Sequence, residues 1–316
     1  MPVHDPGPWL SDTLASVRSQ TFTDWELVVV DDGSVDDVAP VVGAVPGATL
    51  LRQEPAGASV ARNRGVLATG GELVAFMDHD DLWVDNKLEH QVAALERHPT
   101  AGLAYCDVAP FRAPQAPELH RADDAPPVVE VDLVPPGDRG PVGGDEAASR
   151  LAASLEYFGR SFVVPSSVLV RRSWLADSGL VDPSMPFTGD LDLLIRLGAL
   201  GGVAHVRSRD VWYRTHETNY SLRYDEGRRE LRQMRQRYVQ LARARRDWRL
   251  LRQAESSLRR PRRLYAWQAL DRARGAWRAR DLRSTGYHLA RSAAFDPWVL
   301  ASSLRHRPRV DDAGRP

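Results

Sequence analysis

Two short stretches concentrate side chains able to do chemistry. Asp78-His79-Asp80-Asp81 follows the apolar run from Glu72 to Met77, and Asp31-Asp32-Gly33-Ser34 follows the run from Trp25 to Val30. Hard oxygen donors this close together suit Mg2+ or Mn2+, ions that take oxygen ligands and share them with a diphosphate. The same residues also make ordinary strand-end turns, in which Asp side chains accept hydrogen bonds from nearby backbone N–H groups. Asp190 precedes Leu191, Leu194, Ile195 and Leu197, a helical spacing that would make it an N-cap. Asp192 stands i,i+4 from Arg196, where a salt bridge forms readily. Taken alone, Arg62 reads as a surface arginine on a helix, His216 as a packing or surface histidine, and Cys106 as core.

The elements that must position these groups alternate. Helical spacing over Ser11–Gln20 leads to a strand at Trp25–Val30, with the continuous apolar character of a strand buried on two sides. A strand at Ala48–Arg52, a helix at Ser59–Leu67, a strand at Glu72–Met77, a helix at 86–98 and a strand at 102–106 follow. This order argues for a parallel, doubly wound sheet, whose ligands bind beyond the carboxyl ends of the strands. Residues 109–145 break the pattern with repeated prolines and glycines, as a long loop does. A strand at 166–171, helices near 173–178 and 191–199, and a strand near 203–206 resume it, with no evident internal repeat.

A chain of 316 residues, 43% hydrophobic, is long enough for one large domain or two ordinary ones and excludes wholesale disorder. Its single cysteine excludes an intrachain disulfide, and no apolar run approaches the ~18 to 20 residues of a membrane-spanning helix. No export signal is visible at the N-terminus, so a reducing, cytoplasmic setting is the default. The zero net charge is a sum of opposites: residues 1–221 hold 17 basic and 32 acidic side chains, whereas 222–316 hold 25 and 10.

Order and company lift these motifs above turn chemistry. Pro2-Val3-His4-Asp5, Ser19-Gln20-Thr21-Phe22, Asp31-Asp32-Gly33-Ser34, Gly57-Ala58-Ser59-Val60-Ala61-Arg62-Asn63 and Phe76-Met77-Asp78-His79-Asp80-Asp81-Leu82-Trp83 together resemble a family 2, GT-A type nucleotide-sugar glycosyltransferase. Gly189-Asp190-Leu191-Asp192 and Tyr213-Arg214-Thr215-His216 extend the resemblance toward residue 221. It implies an α/β fold with a mostly parallel sheet flanked by helices at 1–221; beyond it no family motif matches, and apolar spacing predicts an α-helical extension at 222–316. It further implies that Pro2, His4 and Asp5 lie beside the nucleotide base and ribose, that Asp32 accepts a hydrogen bond from the base, and that Arg62 approaches the base or phosphates. Asp78 would touch the ribose, Asp80 and His216 the metal, with Asp81 as a helper, and Asp190 would be the catalytic base. The implied cofactor is Mg2+ or Mn2+, the donor a nucleotide-sugar, and the acceptor a saccharide or lipid-linked sugar glycosylated with inversion, in cell-surface polysaccharide biosynthesis. Gly189 departs from the pattern, standing where that family often has Glu.

Two further expectations concern the ends of the chain. The first strand of such a fold would bring an apolar run before Pro2, so the natural start is expected upstream. With Gly189, this motivates a rival reading: a catalytically weakened nucleotide-sugar-binding or scaffolding protein. In the tail, Leu231, Met234, Tyr238 and Leu241 form one apolar stripe, and Leu264, Trp267, Leu270 and Trp277 lie among arginines. Such helices either pack on the body or hold the protein peripherally on an anionic membrane face, here the inner one. No motif suggests nucleic-acid binding.

Overall fold

The computed structural model describes residues 1–112, 129–132, 144–159, 163–220, 223–256 and 260–295. Its first sheet is parallel throughout, in the order β1 (Pro2–Val3), β2 (Leu27–Asp31), β3 (Ala48–Arg52). All five β2 residues are buried, as befits a β-branched run between two parallel neighbours. Helices α1 (Leu10–Arg18), α2 (Ala39–Gly43) and α3 (Ala58–Ala68) cover it. Val3 pairs with Asp31 and Asp31 with Arg52, so the three strands end level and their following loops rise together.

The second sheet has the order β4 (Leu73–Ala75), β8 (Val168–Arg171), β6 (Ala101–Arg112), β9 (Gly202–Thr215), β5 (Leu82–Trp83), with β7 (Val129–Asp132) also on β9. The parallel arrangement read from the alternation recurs where β6 runs beside β9, and the remaining pairs are antiparallel. Helices α4 (Lys87–Arg97), α5 (Gly144–Phe158), α6 (Arg172–Ser178) and α7 (Gly189–Gly198) flank it.

Three differences from the sequence reading have physical reasons. The strand near 203–206 continues to Thr215, because in Arg207–Asp210 arginines point to solvent while Ser208 and Asp210 are buried, a polar alternation without an apolar signal. The Pro-rich stretch holds the end of β6, β7 and the start of α5; residues 113–128 and 133–143 of it lie outside the described residues. Among the described residues the tail forms four helices, α8 (Tyr224–Ala244), α9 (Trp248–Ser256), α10 (Arg260–Arg278) and α11 (Leu282–Phe295). Ser221 and the side chains of Leu264 and Trp267 lie outside the described residues.

The stripe on α8 packs on the body. Leu231, Met234, Tyr238 and Ala242 are buried in one cluster with Leu155 of α5 and Leu193 and Ile195 of α7, and α9 adds Leu250 and Ala254. Side chains so buried contribute roughly 1.5–3 kcal/mol each, so α8 belongs to the core.

The tail does contain a repeat. The turns joining α8 to α9 and α10 to α11 share Ala-x-x-x-Arg-Asp-x-Arg, at 242–249 and 276–283. Arg246 and Arg280 adopt left-handed φ values of 53° and 59°, and the next amides, Asp247 N and Asp281 N, donate to Ala242 O and Ala276 O at 2.8 and 2.9 Å. Asp247 Oδ1 accepts from Leu250 N and Asp281 Oδ1 from Ser284 N, capping the next helix in each case. Each cap is followed by an exposed apolar residue, Trp248 at 65% and Leu282 at 69%.

Candidate active site

The loops at the carboxyl edge of the first sheet are laced together by the residues that the sequence singles out. His4 Nδ1 donates to Asp32 O at 2.9 Å, Asp5 N donates to Ser34 Oγ at 3.1 Å, and Asp5 Oδ1 accepts from Val35 N at 2.7 Å. Asp31 Oδ1 accepts from Ser34 N at 2.8 Å, which is the turn chemistry of an Asp-x-x-Ser strand end. Asp32 does more than close a turn. Its carboxylate accepts from Gln53 Nε2, Ala56 N and Gly57 N at 2.7, 2.8 and 2.7 Å, so it fixes the loop that leads into α3. Gly33 permits this approach: its φ is +76°, and a Cβ there would lie 2.5 Å from Pro55 Cγ.

Helix α3 then carries Arg62 to the second acidic motif. Arg62 Nη2 donates to Asp78 Oδ1 at 2.7 Å with only 11% of its side chain exposed, so it is no surface arginine. Its buried Nε has no hydrogen-bond partner among the described residues. Arg62 also lines one small cavity with Phe76, Pro165, Val168, Asp190 and Leu194. The sequence therefore separates Arg62, Asp78 and Asp190 widely, and the fold brings them together.

Asp80 and Asp81, though adjacent, play different parts. Asp81 is fully buried, accepting from Ser166 Oγ at 2.5 Å and Arg214 N at 3.2 Å. Burial first, and then the neighbouring charges of Asp80 and Asp78, push its pKa well above the usual carboxylate range. It anchors the loop to β9. Asp80 faces His216, with Oδ2 accepting from Nε2 at 3.0 Å, and Asn219 Nδ2 lies 3.5 Å from the same oxygen. Burial alone would raise the Asp80 pKa, but the His216 hydrogen bond and the charges of His79 and His216 outweigh it and hold it low.

These two residues fit a shared cation. Among the described residues no group of three or more His, Cys, Asp or Glu side chains could hold a metal ion. Mg2+ beside a phosphate substrate is nonetheless commonly held through one or two carboxylates with phosphate oxygens and water, and Asp80 would supply one such carboxylate, with His216 beside it. An ion bound there would displace the proton that His216 Nε2 now shares with Asp80.

Arg214, quoted in the motif but given no role by the sequence, is the largest fully buried side chain. Its Nε donates to Asp80 O at 2.8 Å, its Nη2 to Asp12 Oδ2 at 3.3 Å, and its guanidinium lies over Trp9 and Phe111. It fixes the Asp80 peptide to the end of β9. Ser166, which no sequence signal marked, joins Asp78 N and Asp81.

Asp190 is inside α7 rather than at its cap, which is Thr188. Its Oδ1 accepts from Leu191 N at 2.7 Å. Burial raises its pKa, Arg62 opposes the rise, and Asp78 adds to it. Gly189 leaves no room for a side chain, since a Cβ would sit 2.8 Å from Val181 Cγ1 and 3.2 Å from Asp182 O. Asp192 is structural as its spacing suggested, bonding Arg196 Nε at 2.8 Å, and also Tyr238 OH at 2.9 Å. Cys106 is buried core, its thiol pushed up to about 12 by burial.

A parallel sheet with carboxylates at its carboxyl edge, followed by a mixed sheet and helices, defines the GT-A class of nucleotide-sugar transferase folds. The chain belongs to glycosyl transferase family 2, whose family model matches residues 1–176, more than half of its length. Over 98 residues it is 38% identical to an Escherichia coli UDP-Glc:alpha-D-GlcNAc-diphosphoundecaprenol beta-1,3-glucosyltransferase, covering 30% of this chain and 39% of that protein. Over 96 residues it is 33% identical to a putative teichuronic acid biosynthesis glycosyltransferase of Bacillus subtilis, covering 29% and 38%. The chain thus spans about two-fifths of the length of these relatives.

Two solved structures share the fold at 16% identity. One is the mannosyltransferase of Pyrobaculum calidifontis in complex with GDP-Man and Mn2+, with a TM-score of 0.54 over 100% of this chain and 74% of that one. The other is S. aureus TarS 1–349 in complex with UDP-GlcNAc, with a TM-score of 0.53 over 92% and 89%. The family match ends before Asp190 and His216.

Proposed function

We propose that this chain transfers a sugar from a nucleoside-diphosphate donor to a hydroxyl of a saccharide or lipid-linked acceptor, with inversion and with a divalent cation. The observation that carries this reading is Arg62: one nitrogen pairs with Asp78, another is buried without a partner among the described residues, and the side chain shares its cavity with Asp190. A guanidinium held by one carboxylate and sharing a cavity with a second is placed to receive phosphate oxygens.

The chemistry follows from the groups present. His4, Asp5 and Asp32 shape the pocket for the base and ribose, Asp78 contacts the ribose, and Arg62 takes charge that develops on the departing diphosphate. Asp80 and His216 would hold Mg2+ or Mn2+, which when bound supplies further positive charge to that diphosphate. Asp190 accepts the acceptor proton as the hydroxyl attacks the anomeric carbon from the face opposite the leaving group, and a raised pKa makes it a stronger base.

The relatives' roles in lipid-linked and wall-polymer sugar assembly support a place in cell-surface polysaccharide biosynthesis, on the cytoplasmic face of the membrane. None of the described helices is long and apolar enough to cross a membrane. The exposed Trp248 and Leu282, among arginines, favour peripheral contact with anionic lipid.

The decisive experiment offers a panel of UDP- and GDP-sugars with Mn2+ and follows nucleotide release in the wild type and in Asp190→Asn. Release by the wild type alone supports the transferase reading. Nucleotide binding with no release by either protein, across the panel and with saccharide acceptors added, favours the non-catalytic alternative.

A further inference from the structure

The helix bearing Asp190 begins without a cap of its own. Thr188, its N-cap residue, makes no side-chain cap hydrogen bond within α7, although the first amides of any helix need acceptors. The two amides just ahead of the helix, Phe187 N and Thr188 N, find their acceptor in the tail. Glu230 on α8 places Oε2 2.8 Å from Phe187 N, 3.0 Å from Thr188 N and 3.3 Å from Thr188 Oγ1, and it is buried to 7% exposure.

One face of α8 continues this grip along the same segment. Arg237 Nη1 donates to Asp182 Oδ2 at 2.6 Å and its Nη2 to Ser184 Oγ at 3.1 Å, while Tyr238 OH donates to Asp192 Oδ1 at 2.9 Å. Glu230, Met234, Arg237 and Tyr238 fall at i, i+4, i+7 and i+8, one side of a helix. The segment 182–192 is therefore held at both ends and at the start of α7, and Asp190 is two residues beyond Thr188.

We propose that Glu230 is a positioning residue for the transfer reaction: the basic tail, through this one carboxylate, fixes the first turn of α7 and with it the direction in which Asp190 faces the acceptor. The assignment rests on the transferase reading above. It gives α8 a role in the rate and not in donor binding, because among the described residues the hydrogen bonds of the donor-side groups His4, Asp32, Arg62 and Asp78 go to other elements. Gly189 is part of the same design, since the start of α7 packs against Val181 and Asp182 too closely for any larger residue.

The test uses the full chain with Glu230→Ala and Glu230→Gln. With the donor that the wild type turns over best, Glu230→Ala is expected to lose about 30- to 100-fold in kcat, the scale of a misplaced catalytic group, with donor KM within about threefold. UDP stoichiometry should stay at the wild-type value. Glu230→Gln keeps an acceptor oxygen for both amides and should recover at least about a third of the wild-type kcat. Amide hydrogen exchange gives a readout independent of turnover: the peptide spanning 187–192 should exchange faster in Glu230→Ala while the peptide containing Asp32 does not change. Unchanged exchange at 187–192, a kcat loss matched by lost UDP stoichiometry, or a Gln variant as slow as the Ala variant would each overturn the proposal. A wild type that releases no nucleotide while Glu230→Ala still loosens 187–192 overturns the transferase reading and leaves the positioning contact standing.

Discussion

Arg62 Nη2 lies 2.7 Å from Asp78 Oδ1, an ion pair that joins the helix after the first sheet to the acidic loop of the second. Asp78 is more exposed than Arg62, 28% against 11%, so the carboxylate faces the open side of the pair and the guanidinium the closed side. Arg62→Ala removes the buried cation and leaves Asp78 beside any incoming diphosphate. UDP binding is expected to weaken by about 10- to 100-fold, the range of a lost charged hydrogen bond. Titration calorimetry measures it, and an unchanged Kd would remove Arg62 from the donor site.

Asp190→Asn separates binding from chemistry. Loss of a positioned base is expected to lower kcat by about 10² to 10⁴, with UDP affinity held within about threefold. The pH profile adds a sign. A base must be unprotonated to act, and burial raises the Asp190 pKa, so the acid limb of kcat lies above the pH at which an ordinary aspartate titrates. Stability moves in the other sense. A carboxyl whose folded pKa is raised binds its proton more tightly in the folded chain, so its effect on stability becomes less favourable as pH rises through the window above its ordinary value. Replacing it with a neutral amide is therefore expected to raise Tm at pH 7 while lowering kcat. A lower Tm would indicate that Asp190 serves the fold.

The proposed metal dependence would rest on Asp80 and His216. Chelation should abolish nucleotide release, and Mn2+ should restore it. Asp80→Asn is expected to raise the Mn2+ concentration for half-maximal rate by about 10-fold or more, since changing even a residue that only hydrogen-bonds to a metal ligand costs that much. Electron paramagnetic resonance of Mn2+ titrated into the UDP-bound protein reports the same affinity without turnover. Equal Mn2+ affinity in the wild type and in Asp80→Asn would place the cation elsewhere.

Much of the fold was legible because local patterns and tertiary demands coincided. Leu27–Val30 is apolar throughout because both of its faces are covered, and the stripe Leu231, Met234 and Tyr238 shows its helical period plainly. The extension of β9 was not legible, because Arg207 and Arg209 alternate with buried Ser208 and Asp210 and no apolar period survives. The pairing of His216 with Asp80 joins residues 136 positions apart, and only the resemblance, not the spacing, brought the two together. Glu230 was harder still. It is one of three acids, with Asp225 and Glu226, in a basic helix, and its meaning depends on where α8 docks, which no sequence period encodes.

The hairpin tips carry the last prediction. Deleting the tail cannot test membrane contact, because α8 fills the core beside Leu155 and Leu193 and its loss would expose that surface. Trp248 and Leu282 are better targets. Each is exposed, each follows a capping Asp, and each is flanked by arginines at the tip, Arg246 and Arg249 or Arg280 and Arg283. An apolar residue among such charges suits a bilayer interface, where each arginine near an anionic surface contributes about 1 kcal/mol. The double variant Trp248→Ala, Leu282→Ala removes apolar area without touching the core, so Tm should change by no more than ~2 °C. Its co-sedimentation with phosphatidylglycerol vesicles is expected to fall about 10-fold, and wild-type binding should weaken with salt and vanish on phosphatidylcholine. Equal partitioning of the wild type and the double variant would show that these tips do not meet the membrane.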